Sequence, residues 1–172
     1  MNGTFVYEDY LSLYNDNKIK SLYFKKSQIQ PSSIDLSLSE ECYQLQTSFL
    51  SPDNTVRDKL KKIYSKKISL KHPKIFKKNK TYIVRLNEKL NLSDSISGHC
   101  NPKSSTGRLN IFCRTILDYC DEYEKIPKNY NGEIFLEITT RSFDIKISKG
   151  DKLNQMRLRK KPNSYLNDED LK

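Results

Sequence analysis

No run of eighteen apolar residues occurs anywhere in the chain, which leaves no candidate for a membrane-spanning helix. The N-terminus, "MNGTFVYEDYLSLYND", lacks the basic segment and apolar stretch of a secretory leader. A soluble, cytoplasmic protein with no membrane partner is therefore the expectation. Histidine is scarce, with two in 172 residues, and the four cysteines (Cys42, Cys100, Cys113, Cys120) form no C-x-x-C pair. In the absence of a leader they are expected as reduced thiols. His99 adjoins Cys100, but neighbours on a strand point apart and only His72 remains as another imidazole, so no zinc site is expected. Glycine is rare as well, at five, and acids nearly vanish from one stretch. Between Arg57 and Lys80, eleven of the 31 basic residues face a single acid, Asp58.

What is present fits one domain with a single hydrophobic core: 172 residues, 35% hydrophobic and 30% charged. The net charge of +10 points to anionic partners or to a lysine-rich solvated surface. The 57–80 run has the same two readings, a nucleic-acid face or a solvated loop and strand edge. No aromatic ladder or recognised nucleic-acid motif accompanies it, so the solvated reading is preferred and nucleic acid is not an expected partner.

Along the chain, Tyr7, Tyr10, Leu11 and Tyr14 recur at helical spacing and predict a short opening helix over residues 6–16. Strands dominate thereafter. In "PSSIDLSLSE" Ile34, Leu36 and Leu38 alternate with Ser33, Asp35 and Ser37, the period of a half-buried strand. "ECYQLQTSFL" continues extended, "SPDN" at 51–54 is a turn, and "KTYIVRLNEKLNL" over 80–92 is a long strand. "GEIFLEITTRSFDIKISKGDKLNQMRLR" reads as strands broken at Lys149-Gly150-Asp151. Short strands spaced by turns, with no internal repeat or linker, predict an all-β sandwich or barrel.

Two stretches carry candidate chemistry. "NPKSSTGRLN" offers what an oxyanion needs: hydroxyls on Ser104, Ser105 and Thr106, charge on Lys103 and Arg108, and room at Gly107. It is not a Walker A loop, and from spacing alone a plain polar turn into "LNIF" is the preferred reading. In "EIFLEIT", Ile134, Leu136 and Ile138 share one strand face while Glu133, Phe135, Glu137 and Thr139 share the other. Glu137 is a general acid or base if a ligand closes that face. An exposed strand glutamate beside a lysine is the simpler reading from pattern alone. Gln155 and Arg157 are ordinary strand residues on the same grounds.

Taken in order, "QIQPSSIDLSL", "NPKSSTGRL", "GEIFLEI" and "ISKGDKLNQMRLR" resemble the dCTP deaminase branch of the dUTPase-like superfamily. More narrowly, they are similar to the N-terminal half of the long tandem form found in some bacteria. The resemblance runs from about Gln28 to the end. It implies a distorted antiparallel β-barrel of jelly-roll type, assembled as a homotrimer with active sites shared between subunits. The domain would comprise an N-terminal helix and lead-in (1–27), the barrel (28–160) and a C-terminal tail (161–172).

The resemblance also implies roles. Lys103, Ser104 and Ser105 align with the family's phosphate loop, with lysine where the family usually has arginine, so the charge remains and the bidentate fork is lost. Ser104 and Arg108 would face the reacting base, and Glu137 would act as general base on the attacking water. Gln155 matches a glutamine of the closing strand motif. Asp118 is the nearest equivalent of an acidic residue in a sugar-contacting hairpin whose small residues "LNIFCRTILDYCDEYEKIPKNYNG" does not reproduce. The implied reaction converts dCTP to dUTP and ammonia, zinc-free, with Mg2+ entering as the triphosphate's counterion. Neither H-x-E nor P-C-x-x-C, the marks of zinc deaminases, occurs. Two alternatives remain: a dUTP nucleotidohydrolase of the same fold, which relies on a hairpin aspartate instead, and a non-catalytic trimer-forming or nucleic-acid-binding half-domain.

Overall fold

The computed structural model describes residues 3–160; the tail expected over 161–172 lies outside them. In chain order, β1 (Gly3–Thr4) leads into helix α1 (Tyr7–Asn15), followed by β2 (Ile19–Lys20), one 3-10 turn (Lys26–Gln28) and β3 (Ile29–Gln30). The middle consists of β4 (Ser33–Leu36), β5 (Leu38–Leu45), helix α2 (Val56–Ile63), β6 (Tyr64–Ser69), β7 (Lys74–Phe76), β8 (Thr81–Asn91) and β9 (Ile96–Pro102). The one-turn helix α3 (Ser104–Arg108) precedes β10 (Ile111–Leu117), β11 (Lys125–Ile126), β12 (Asn131–Thr140), β13 (Ile145–Ile147) and β14 (Asn154–Lys160). This is the all-β class with a short N-terminal helix that the alternating patterns predict. Among the described residues no helix is long and apolar enough to cross a membrane.

Every strand pairing is antiparallel. One six-stranded sheet runs β11-β9-β14-β4-β3 with β1 on β14, a second runs β10-β12-β8-β5-β6 with β2 on β8, and β7 and β13 form a separate two-stranded ribbon. Neither sheet closes on itself, so the barrel is distorted into two open layers. Ile34, Leu36, Met156 and Leu158 of the first sheet join Val84, Leu86, Leu136 and Ile138 of the second in one buried core. Burying each such side chain stabilises the fold by about 1.5–3 kcal/mol. Helix α1 seals one end: Asp9 accepts from the Val6 N–H at 2.9 Å, and Tyr10 and Leu13 turn inward. The Tyr10 hydroxyl accepts from the Leu158 N–H at 2.8 Å and donates to the Met156 carbonyl at 3.3 Å.

Two expectations need correction. β4 is not half-buried, because Ser33, Asp35 and Ser37 are as enclosed as Ile34 and Leu36. Its polar face tolerates burial because it is bonded: Ser37 donates through N–H and hydroxyl to Glu88, and Lys103 pairs with Asp35. The basic run is not all loop and edge, since residues 56–63 form α2. Thr55 caps it by accepting from the Asp58 N–H at 3.1 Å, Asp58 occupies the first turn, and Lys61 and Lys62 lie in the last. Val56 and Leu60, four apart, point into the protein. The lysine count masks this signal. β6 beyond it is the exposed sheet edge that the run predicts.

Helix α2 and residues 46–55 cover the outer face of the second sheet. Leu45, Phe49, Val56, Leu60, Ile83, Ile116 and Phe135 form a second apolar cluster there. At its margin an alternating chain of charges runs Arg85–Glu41–Arg57–Glu133–Lys89. Burial pushes the Glu41 carboxyl up, but hydrogen bonds from Arg57 and Tyr43 and the charges of Arg57 and Arg85 outweigh it and hold the group at about 2.

A group held below its unfolded value adds stability above that value and loses it on acidification. The Glu41 contribution is therefore complete above about pH 4.5 and fades as pH falls towards about 2. Arg57→Ala is expected to lower unfolding free energy by about 1 kcal/mol at pH 7, allowing for the half-exposed guanidinium, and by less at pH 3. Urea unfolding at both pH values measures this. All four cysteines are free and buried, and burial raises Cys100 and Cys113 and pushes Cys42 up to about 12. A thiol-reactive disulfide reagent should label none of them rapidly in native protein and all four after denaturation.

Candidate active site

The loop "KSSTGR" folds into α3 because its ends are tied to one carbonyl. The Lys103 N–H and the Thr106 hydroxyl both donate to Leu153 O, each at 2.9 Å, and the Gly107 N–H returns to Lys103 O at 3.1 Å. Thr106 is thereby turned inward, whereas Ser104, Ser105 and Arg108 stay exposed. Lys103 is committed elsewhere: its ammonium pairs with Asp35, whose side chain is 5% exposed. Asp35 stands opposite Gln155 in the β4–β14 register, and the Ser33 hydroxyl reaches the Gln155 amide oxygen at 3.2 Å. Lys103, paired with Asp35, and Gln155, bonded to Ser33, thus border one polar patch beside the exposed hydroxyls.

Glu137 lies in the middle of β12, opposite Arg114 of β10 and Ile83 of β8. It is 3% exposed, and its partner is an arginine, so the exposed glutamate beside a lysine is corrected. The face that pattern alone assigns to solvent is roofed by α2 and residues 46–55. Arg114 donates to Glu137 Oε1 through Nη2 at 2.6 Å and Nε at 3.1 Å. The Ser48 hydroxyl donates to Oε2. Arg114 Nη2 also reaches Ser48 Oγ at 3.0 Å, and Ser48 Oγ and Tyr123 Oη lie 2.8 Å apart. The guanidinium stacks on Tyr123, with Cζ 4.1 Å from the ring centroid. Burial lowers and Glu137 raises the Arg114 pKa, with a net rise that keeps the guanidinium charged.

The two candidate groups do not meet within one chain. Among the described residues no hydrogen bond or ion pair links Ser104, Ser105 or Arg108 to Glu137. Helix α3 runs directly into β10, however, and at ~3.4 Å per residue Ile111 and Arg114 are about 10 Å apart along the strand. Helix α3 therefore stands at one end of the second sheet, and the Arg114–Glu137 pair lies further in along the same strand. Asp118, at the far end of β10, is engaged by α2: its Oδ1 accepts from the Val56 N–H at 2.7 Å. Burial raises its carboxyl and that hydrogen bond lowers it, with a net rise.

No cluster of three or more His, Cys, Asp or Glu side chains is placed to hold a metal ion among the described residues. His99 is exposed while Cys100 is buried, so the adjacent pair points apart. Sequence reasoning missed Arg114, Ser48 and Tyr123. Nothing local marks them, because the cross-strand register and the path of residues 46–55 bring them to Glu137.

Comparison with known proteins bears directly on this arrangement. Residues 1–162 match the family model described as the 2'-deoxycytidine 5'-triphosphate deaminase (DCD) N-terminal domain. A solved 2'-deoxycytidine 5'-triphosphate deaminase from Agrobacterium tumefaciens is similar with a TM-score of 0.90 and 36% identity, over 93% of this chain and 47% of that one. This chain thus spans about half the length of that relative. A native EIAV dUTPase is similar at a TM-score of 0.42 and 21% identity, over 57% of this chain and 77% of that one. No curated protein matches the sequence.

The position of Asp118 yields a test. Asp118→Ala frees one donor at the start of α2 and is expected to cost about 1 kcal/mol. Thermal unfolding measures the loss. An unchanged midpoint would show that the contact to Val56 contributes nothing.

Proposed function

The chain belongs to the dCTP deaminase N-terminal domain family, and from that premise we propose that it deaminates dCTP hydrolytically, with Glu137 as general base. The observation that carries the assignment is the Glu137 carboxylate, buried on β12 and held at both oxygens by Arg114 and Ser48. Water attacks C4 of the cytosine ring while Glu137 takes its proton. That proton passes to ring N3 and stays there; as the tetrahedral intermediate collapses, the proton of its C4 hydroxyl passes by way of Glu137 to the departing amino group, and dUTP and ammonia leave. General-base action of this kind contributes about 10²- to 10⁴-fold, and positioning supplies much of the rest.

Ser104, Ser105 and Lys103 are proposed to take the triphosphate, with Ser104 and Arg108 also turned to the reacting base. Exposure of the two hydroxyls and of Arg108 supports this. Lys103 must exchange Asp35 for phosphate oxygens or share itself between them. Gln155 acts through the Asp35 patch, and Asp118 contacts nucleotide only as far as its tie to Val56 allows. Mg2+ arrives with the triphosphate, its oxygens supplying the ligands. A homotrimer with shared sites is supported by the separation of α3 from Glu137 within one chain, which a neighbouring copy would bridge. A triphosphate substrate and four free buried thiols are in keeping with the cytoplasm.

Purified protein with dCTP and Mg2+ should release dUTP and ammonia, read by chromatography and ammonia detection. Glu137→Gln should reduce turnover at least about 10²-fold with nucleotide affinity retained. Full turnover by that variant would remove Glu137 as the base. Release of pyrophosphate from dUTP would instead establish a nucleotidohydrolase, and salt-dependent DNA binding without turnover a non-catalytic domain.

A further inference from the structure

The Glu137 carboxylate is not held symmetrically. Oε1 accepts two N–H groups from one guanidinium, at 2.6 and 3.1 Å, which fill its two lone-pair positions. Oε2 accepts a single hydroxyl, from Ser48, and keeps one position open. A proton can reach Oε1 only by expelling a permanently charged group, whereas Oε2 can take one directly.

The guanidinium in turn has little freedom. Its backbone is paired with Glu137 in the β10–β12 register, its plane rests on the Tyr123 ring, and Nη2 is tied to Ser48 Oγ. Tyr123 is anchored as well, its hydroxyl reaching the Phe49 carbonyl at 3.3 Å. Arg114 and Ser48, from stretches distant in sequence and braced together by Tyr123, thus hold the carboxylate and fix its rotation. The other arginine-centred network differs: Arg57 bridges Glu41 and Glu133, whose side chains are 18% and 16% exposed, whereas that of Glu137 is 4% exposed.

We propose that Arg114, stacked on Tyr123, is the positioning residue of the Glu137 base, occupying Oε1 so that Oε2 is the oxygen that takes the proton. This rests on the deaminase reading of the site. Lysine cannot substitute fully, because an ammonium keeps the charge but lacks the planar fork that fills Oε1 and the face that stacks on Tyr123. The water that Glu137 activates meets Oε2 at its open position, beside the one held by Ser48, so the 46–55 segment borders the route to the base.

The test compares steady-state dCTP turnover by the full chain and its variants. Arg114→Gln is expected to lower kcat about 10²-fold, the cost of misplacing a reacting group by roughly 1 Å, while KM changes less than about threefold. Arg114→Lys should recover part of that loss. If Arg114→Gln fails to fold, Tyr123→Leu keeps the question open to measurement, with kcat expected to fall about tenfold at constant KM. A kcat within about threefold of the unmutated chain for Arg114→Gln, or equal losses for Gln and Lys tracking a lowered thermal midpoint, would overturn the positioning role and leave the deaminase reading standing. No turnover by the unmutated chain would overturn the deaminase reading and this role with it.

Discussion

The roof over the outer face of the second sheet is the constraint on which the rest depends. Phe49, Val56 and Leu60, from residues 46–55 and helix α2, bury Ile83, Ile116 and Phe135. Without that cover the charged residues of β8, β10 and β12 on this face would stand in water and need no partners. With it, a carboxylate loses hydration and must be compensated by a cation or by donors. Glu41 and Glu133 at the margin share Arg57, and Glu137 further under the roof takes Arg114.

Glu88 shows the other solution. It is wholly buried within β8 and receives only neutral donors, the Ser37 N–H and hydroxyl and the Gln28 amide, the last at 2.9 Å. Burial accordingly raises its carboxyl, whereas cations hold Glu41 down. Both are strand glutamates in "hydrophobic" surroundings, and the sign of the shift follows from the charge of the partner. Gln28 and Ser37 belong to "QIQPSSIDLSL", whose polar residues therefore hold the first sheet against the second. Its Asp35 engages Lys103, which opens "KSSTGR".

The site consequently has two parts with different mechanical characters. Helix α3 is pinned at one carbonyl and presents its hydroxyls and Arg108 to the surface. Glu137 is enclosed, oriented by a guanidinium that is itself braced by an aromatic ring. β10 joins them, carrying α3 at one end and Arg114 three residues along, so a shift of that edge strand moves both.

Much of this was legible in the residues. Alternation with period two placed the long strands and the opening helical spacing placed α1, because a strand or helix needs only its own periodicity to declare which face is apolar. The ordered stretches "NPKSSTGRL" and "GEIFLEI" determined the family and singled out Lys103, Ser104, Ser105, Arg108 and Glu137. What only the tertiary structure decided was which polar residues lie indoors and with whom. Period two assigns a face but not its cover, so Ser33, Asp35 and Glu137 read as solvent-facing until a second element lies over them. Arg114, Ser48 and Tyr123 come from separate segments, and only strand register and the path of residues 46–55 bring them to one carboxylate.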